Sequence, residues 1–555
     1  MTLRERLADL AFRTGIETTG RGAYERLIEA AGDPHGAQAR ALARILRALA
    51  PTELGRAFGR VDVDEFRRRV PVGDYEALRP HIERQIATGL AVVTATRPIM
   101  YARTSGTTGK PKLIPVTSEV VADLTAAQRV FSYVQHRDLD AFRGPVLAIG
   151  GALREETLPD GTPAGAATGL IYETMPALIR AKYVVPPAVF GIEDYELRYA
   201  VIARLAVQHR DLSMIGTANP STILRLLDQI QRDARELEDD VARGDSRLLA
   251  DVPAPIARHV RAALRSDRHQ ARALADARAR GAPITLDTLW PELRAVMTWL
   301  GAGCAGAAAQ VRALLPAHAR AIDAGYVASE VRGTVVVDAE RNLALPLLEH
   351  VFFEFAPVDA WDAGDRATLL LPEIEEGRSY YVLVTTAGGL VRYDMHDIVR
   401  VTGRIGRTPT LAFVRKGSGV TSLTGEKLTE EQVNLAVTAV AARAALNVPF
   451  HVVVADADSN RYIAYVEARA PAAHCDTLAS ALDAELAALN IEYAGKRSSG
   501  RLRPLLLVLL DPGTGYAYRE HAVRKGQRES QFKVLSLQNA AEVDFDFAPF
   551  AAGRR

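Results

Sequence analysis

Twelve residues constrain this chain more than any others: Tyr101-Ala-Arg-Thr-Ser-Gly-Thr-Thr-Gly-Lys-Pro-Lys112. The run holds two glycines, three threonines, a serine and two lysines. They suit a flexible loop whose backbone N–H groups and hydroxyls wrap a polyphosphate while the lysines neutralise it. The common nucleotide P-loop is excluded. That motif needs a glycine five positions before Gly109-Lys110 and a Ser or Thr after the lysine, and Thr104 and Pro111 stand there. A plain Gly/Thr turn between strands is the bland alternative, and the density of hydroxyl, glycine and lysine argues against it.

The texture of the chain changes around this loop. Residues 1–95 carry apolar positions at three- and four-residue spacing with arginine-rich faces, which predicts helices. From 96 to 152, short apolar strands broken by Gly, Pro and Thr take over, including Pro98–Tyr101 and Pro145–Ile149. Residues 221–285 are again helical and charged, the arginine-rich 257–280 reading as a solvated helix face. Strands dominate from 333, at Gly333–Val337, Val351–Phe355, Tyr380–Thr385 and Thr410–Val414. After Lys416-Gly-Ser-Gly the order is helix (429–443), strand (449–455), strand (461–468), helix (475–489) and strand (503–510). That order resembles a split βαβ arrangement. The expected fold class is α/β: a large N-terminal lobe of mixed sheets and helices over 1–415, a hinge at 416–427, and a small mobile α+β lobe over 428–555.

Charge narrows the partners. Lys+Arg is 68 against Asp+Glu 67, a net charge of +1, which argues against a general nucleic-acid binder. Only eight of the basic residues are lysine, at 110, 112, 182, 416, 427, 496, 525 and 533. Where arginine replaces lysine wherever charge alone matters, each surviving lysine marks a place for a compact ammonium. Cys304 and Cys475 stand far apart, which predicts buried, unreactive thiols rather than a disulfide or a cysteine zinc site. The first ten residues read as a charged amphipathic helix without an apolar signal core, and no run approaches the ~20 apolar residues of a membrane span. A cytoplasmic protein with no membrane partner is expected, a monomer being favoured.

Ser105-Gly-Thr-Thr-Gly-Lys-Pro-Lys112 resembles the phosphate-binding signature of the adenylate-forming superfamily, which includes acyl-CoA synthetases, luciferases and nonribosomal adenylation domains. Tyr326-Val-Ala-Ser-Glu330 is similar to its adenine and magnesium motif, and Leu390-Val-Arg-Tyr-Asp-Met-His-Asp397 to its ribose motif. Val351-Phe-Phe-Glu-Phe355, Leu383-Val-Thr-Thr-Ala-Gly-Gly389, Asn490-Ile-Glu-Tyr-Ala-Gly-Lys-Arg-Ser-Ser-Gly500 and Gln531-Phe-Lys533 narrow the resemblance. Together they resemble the Gretchen Hagen (auxin-responsive) family of acyl-acid amido synthetases, over about residues 95 to 540.

The resemblance implies ATP and Mg²⁺ as cofactors, and a small carboxylic acid and an amine, such as that of an amino acid, as substrates. Ser105, Gly106, Thr107, Thr108 and Gly109 would donate to phosphate oxygens, with Lys110 a candidate catalytic cation or a solvent-facing loop tip. Glu330, beside Ser329, would hold Mg²⁺ and act in catalysis, because an ionised carboxylate suits a hard cation. Tyr326 would offer a flat face to adenine, or else belong to the core. Asp397 would accept from both ribose hydroxyls, and Lys533 would reach the active site from the small lobe, with Lys427 acting after the lobe turns. This chain departs from the family at three places. Met395-His396 replaces a small residue and glycine before the aspartate, Leu535-Ser536 replaces Pro-Arg, and Trp299-Leu-Gly301 stands where a Thr-Gly pair is usual.

The expected reaction adenylates the acid, releasing pyrophosphate, and then transfers the acyl group to the amine, releasing AMP. Two rivals stay open: transfer to a thiol (coenzyme A) or hydroxyl, and an inactive nucleotide-binding interaction protein. By analogy, the 145–225 region, including Tyr183–Phe190 and Gly216–Ser221, is expected to contribute to the acyl pocket.

Overall fold

The computed structural model describes residues 3–552 apart from 60, 105–111, 282, 302–303, 418, 422, 424–425, 427, 457, 472–473, 499, 501, 526 and 528–531. Contacts divide the chain into two units. The first comprises Met1–Leu300, Gln310–Met395 and Val399–Ala412; the second comprises Gly301–Ala309, His396–Ile398 and Phe413–Arg555.

The first unit opens with the predicted helical region. Its helices Leu3–Gly15, Arg21–Ala30, Pro34–Leu49, Val63–Arg69 and Tyr75–Thr88 are interrupted by a π-helical turn at Ile16–Gly20. Several begin on an aspartate whose side chain accepts from the third residue onward, as Asp33 does from Gly36 N–H and Asp62 from Glu65 N–H. Strand Met100–Thr104 then runs up to the glycine-rich segment, and Lys112–Val116 returns antiparallel to it, pairing Thr104 with Lys112. The helix Ser118–Leu139 follows at once, its N-terminus capped by Thr117.

The same unit carries a four-stranded parallel sheet, Val146–Ala148, Met214–Gly216, Ala295–Thr298 and Arg320–Asp323 in that spatial order. Parallel strands are buried on both faces and read as short unbroken apolar runs. That is why Val146–Ala148, Met214–Gly216 and Ala295–Thr298 alternate so little in sequence, whereas the edge strand Arg320–Asp323 exposes Arg320. Beside them the helix Tyr195–Val207 is buried at every position from Tyr199 to Val207. The arginine within that run, Arg204, is fully provided for: Nε donates to Asp245 O (2.9 Å), Nη1 to Gln208 Oε1 (2.9 Å), and Nη2 to Asp240 O (2.9 Å) and Arg265 O (3.3 Å). A second, five-stranded sheet has the order Leu369–Leu370, Phe352–Pro357, Ser379–Thr385, Tyr393–Ile405, Thr408–Lys416. The strands expected after 333 all form, the last of them extended to Thr408–Lys416, and the strand Tyr393–Ile405 lay outside that expectation.

The second unit carries a sheet ordered Leu506–Leu510, Arg461–Glu467, Phe450–Asp456, Leu537–Asn539, with helices Glu430–Arg443, Cys475–Leu489 and Ile491–Ser498. The predicted helix-strand-strand-helix-strand order is present. Elements outside that expectation include the helix Ile491–Ser498, the helix Thr514–Arg524, which runs Thr-Gly-Tyr-Ala-Tyr-Arg with no clear apolar stripe, and the three-residue strand Leu537–Asn539. Among the described residues no helix is long and apolar enough to cross a membrane. Cys304 is buried and Cys475 half-buried, and neither is in a disulfide.

Candidate active site

In open α/β sheets ligands bind beyond the carboxyl ends of parallel strands. The four strands of the parallel sheet end on Ala148, Gly216, Thr298 and Asp323, and their continuations include Trp299-Leu300 and the Tyr326–Glu330 motif. Asp323 ties two of these ends together. Its carboxylate accepts from Leu300 N–H (3.0 Å) and Gly325 N–H (2.6 Å).

Tyr326–Thr334 is a tight hairpin. Tyr326 N–H donates to Thr334 Oγ1 (2.8 Å), Gly333 N–H to Tyr326 O (2.8 Å), and Ala328 N–H to Val331 O (2.8 Å), while Val327 bridges Arg332. Ser329 and Glu330 sit at its tip. A Cβ on Gly333 would fall 2.3 Å from the Tyr326 ring, so only glycine leaves room for the ring there. Tyr326 is 4% exposed.

Glu330 meets a cluster that only partly follows from the motifs. Lys112 Nζ lies 4.0 Å from Glu330 Oε1 and donates to Tyr393 Oη at 3.1 Å. It also stands 5.5 Å from the centre of the Tyr75 ring. The Tyr75 hydroxyl accepts from Leu113 N–H (2.6 Å), and burial holds its phenol above the ordinary range, so it stays protonated. The sequence marks Lys112 only as a cation of the glycine-rich segment and gives Tyr75 and Tyr393 no role. The signal for Lys112 was the scarcity of lysine. Tyr75 lies outside every motif and offered none.

Of the other expected residues, Ser105, Gly106, Thr107, Thr108, Gly109, Lys110 and Lys427 lie outside the described residues. Asp397 is 2% exposed and lies within the strand Tyr393–Ile405, not at a strand end. Its neighbour His396 has φ +50°, left-handed backbone that glycine adopts without cost, and the His396 carbonyl accepts from Gly417 N–H at 2.7 Å. The family's glycine before this aspartate thus has a physical reason, and histidine occupies the same conformation here under strain. His396→Gly is expected to raise stability by about 0.5–1 kcal/mol and His396→Val to lower it by about 1–2 kcal/mol. Thermal denaturation of the two variants checks the order, and a valine variant as stable as wild type would contradict it.

Lys533 sits in the second unit with Nζ 4.2 Å from the centre of the Phe413 ring. Its segment is pinned on both sides. Phe532 is 5% exposed, and Ser536 donates through N–H (2.6 Å) and Oγ (2.9 Å) to Glu430 Oε1. The serine that replaces the family's arginine therefore anchors the chain three residues after the lysine.

Two of the narrower motifs meet in the first unit. Glu354, from Val351–Phe355, binds Arg392, from Leu390–Asp397, through Nε–Oε2 (2.8 Å) and Nη2–Oε1 (2.7 Å). Arg392 Nη1 also donates to Arg67 O and Val70 O, each at 2.7 Å, and Thr368 Oγ1 donates to Glu354 Oε1 at 2.6 Å. The side chains are 7% and 1% exposed. Arg392 directly precedes Tyr393, so this pair fixes the strand that presents the Tyr393 hydroxyl to Lys112.

A cavity of about 450 Å³ lies along the helix Ser118–Leu139, lined mainly by apolar side chains such as Phe12, Ile16, Leu124, Leu170, Ile171 and Ile179. Tyr183, expected at the acyl pocket, is part of its wall; Gly216–Ser221 is not. The helices supplying Leu124 and Leu170 follow strands Lys112–Val116 and Pro163–Gly165, both paired to the strand that enters the glycine-rich segment.

Family models match in order along the chain: the GH3 family N-terminal domain over residues 23–318, the GH3 family central domain over 344–416 and the GH3 family C-terminal domain over 431–542. The chain is 27% identical over 518 residues to the indole-3-acetic acid-amido synthetase GH3.8 of Oryza sativa subsp. indica, which covers 86% of this chain and 83% of that protein. It is 24% identical over 517 residues to the jasmonoyl-L-amino acid synthetase JAR6 of Nicotiana attenuata, at 86% of each. Among solved structures, the AtGH3.15 acyl acid amido synthetase in complex with 2,4-DB aligns with TM-score 0.82 at 19% identity, covering 94% of each chain, which shows a shared fold.

Proposed function

The chain belongs to the GH3 family, and on that premise we propose that it is an ATP-dependent acyl-acid amido synthetase. The observation that carries this reading is Glu330 at the tip of its hairpin, 4.0 Å from Lys112, beyond the carboxyl ends of a parallel sheet. The acid's carboxylate oxygen attacks the α-phosphorus of ATP, and the bond to pyrophosphate breaks. The amine then attacks the acyl carbon, loses a proton, and expels AMP. Its attack needs little beyond orientation, because AMP leaves readily.

Lys112 places a positive charge where phosphate oxygens carry the negative charge of the first step. A single carboxylate suits Mg²⁺, which keeps most of its shell as water and phosphate oxygen. Among the described residues no group of three or more His, Cys, Asp or Glu forms a protein-only metal cage. Bound Mg²⁺ would supply charge neutralisation on the phosphates, and Glu330 would hold it. The loop Ser105–Lys110 is assigned to the phosphates, Tyr326 with Ser329 to the adenine side, Asp397 to the ribose and Lys427 to the second step. The cavity along Ser118–Leu139 receives the body of the acid. Its volume suits a small, largely apolar acid. A monomer in the cytoplasm is the assembly and place proposed.

Mixing the protein with MgATP, carboxylic acids and amino acids tests the reading. Acid-dependent AMP with an amide by mass is expected; AMP with a thioester or ester, or no AMP with any acid, would overturn it. Lys533→Ala is expected to slow acyl-adenylate formation about 100-fold and to leave consumption of a supplied acyl-adenylate nearly unchanged. Equal losses in the two half-reactions would remove Lys533 from the first step.

A further inference from the structure

Arg204 and Arg332 of the first unit both bear enclosed guanidinium nitrogens and are treated oppositely by the fold. Burial lowers both guanidinium groups to about 10, so both stay charged at neutral pH. Arg204 has four acceptors. Arg332 Nε and Nη2 are enclosed and have no hydrogen-bond partner among the described residues. Its guanidinium instead rests over the Phe131 ring, 5.2 Å from the centre. Leaving a buried charged donor unpaired costs several kcal/mol, so a fold retains one where something else fills it.

The position of Arg332 says what that is. It lies two residues after Glu330 in the same hairpin, with Val331 between them buried at 6% exposure. Phe131 belongs to Ser118–Leu139, one helical turn from Gln128, which lines the cavity. One turn further on, Gln135 is fully buried, and both its amide atoms lack partners among the described residues. The Nε–Nη2 edge of a guanidinium is the edge that binds a carboxylate through two parallel hydrogen bonds.

We propose that Arg332 is the carboxylate receptor of the acyl-acid site, its Nε–Nη2 edge taking a carboxylate of the acid to be activated. The assignment rests on the amido-synthetase reading and deepens it. Arg332 selects acids over their neutral analogues and holds them beside Glu330. The carboxylate it takes is either the reacting one or the second one of a diacid.

Benzoate, phthalate and neutral benzamide distinguish these cases by isothermal titration and thermal shift on the full-length protein. Wild type is expected to bind benzoate or phthalate and to ignore benzamide, and Arg332→Met to bind the carboxylates about 10- to 100-fold more weakly. A loss with both acids identifies the reacting carboxylate, and a loss confined to phthalate identifies a second one. Arg332→Met alone should melt about 1–3 °C above wild type, since it removes an unpaired buried charge. Arg332→Lys, which keeps the charge and loses the fork, should bind with intermediate affinity. Unchanged carboxylate binding in Arg332→Met, or equal binding of benzamide and benzoate to wild type, overturns the receptor. An Arg332-dependent carboxylate site in a protein that yields no AMP with any acid would overturn the activity instead. Acid-dependent AMP with an unaltered KM for the acid in Arg332→Met would overturn the receptor alone.

Discussion

Glu330→Gln is expected to lower acid-dependent AMP formation by about 1,000-fold while leaving the melting curve almost unchanged. Glutamine keeps the shape of the side chain and removes its charge, so any loss reports the carboxylate itself. The structural cost is small for two reasons. Glu330 stands at a hairpin tip, and its pairing with Lys112 spans 4.0 Å between side chains 11% and 21% exposed. Partly exposed ion pairs of that length contribute under about 1 kcal/mol. The catalytic cost is large because a neutral amide holds a hard dication poorly, and pyrophosphate then leaves without charge compensation. Pyrophosphate release measured beside circular dichroism melts separates the two effects. Turnover within tenfold of wild type would remove Glu330 from the site. Asp397→Ala, made in parallel, should cost activity chiefly through the KM for ATP.

Local periodicity and a few dense motifs carried much of the fold. The helical start, the strands after 333 and the element order of the second unit followed from apolar spacing, which local backbone geometry obeys. Thr514–Arg524 escaped because its glycine and tyrosines make no stripe, and Leu537–Asn539 because three residues show no period. At the site, Glu330 was legible from its motif. Tyr326 allowed two readings, and it is 4% exposed with its ring close against Gly333. Lysine scarcity singled out Lys112 and Lys533 but could not assign every survivor. Lys182, outside any motif, pairs with Asp9 and the Phe142 carbonyl, and Lys525 with Asp544. Arg332 was invisible for the opposite reason, one arginine among sixty. What distinguishes it is that two enclosed guanidinium nitrogens have no hydrogen-bond partner among the described residues, a property of packing that no spacing encodes. The strain at His396 shows the same limit, since the sequence showed a missing glycine and only the backbone angle shows what the glycine was for.

The largest effect on stability is expected from Glu354. Replacing it with glutamine should destabilise the first unit by about 3–5 kcal/mol, because the Arg392 guanidinium would stay buried without its counter-ion. Both charges are almost wholly enclosed, so neither solvent nor salt can compensate. Thr368 Oγ1 can still donate to the amide oxygen, but the amide nitrogen would meet Arg392 donors and repel them. Removing both charges, with Glu354→Met and Arg392→Met together, should cost less than Glu354→Gln alone. It should not restore wild-type stability. The carbonyls of Arg67 and Val70 would lose the guanidinium they now accept from, and methionine would have to adopt the φ of +41° that Arg392 holds. Urea titration of the first unfolding transition reads all three proteins. If the pair serves the site as well as the fold, the double variant should stay folded yet show a raised KM for ATP, since Tyr393, the hydroxyl partner of Lys112, follows Arg392 directly. A Glu354→Gln loss below about 1 kcal/mol would show that the pair does not anchor this strand. A folded double variant with an unaltered KM would confine the pair to stability.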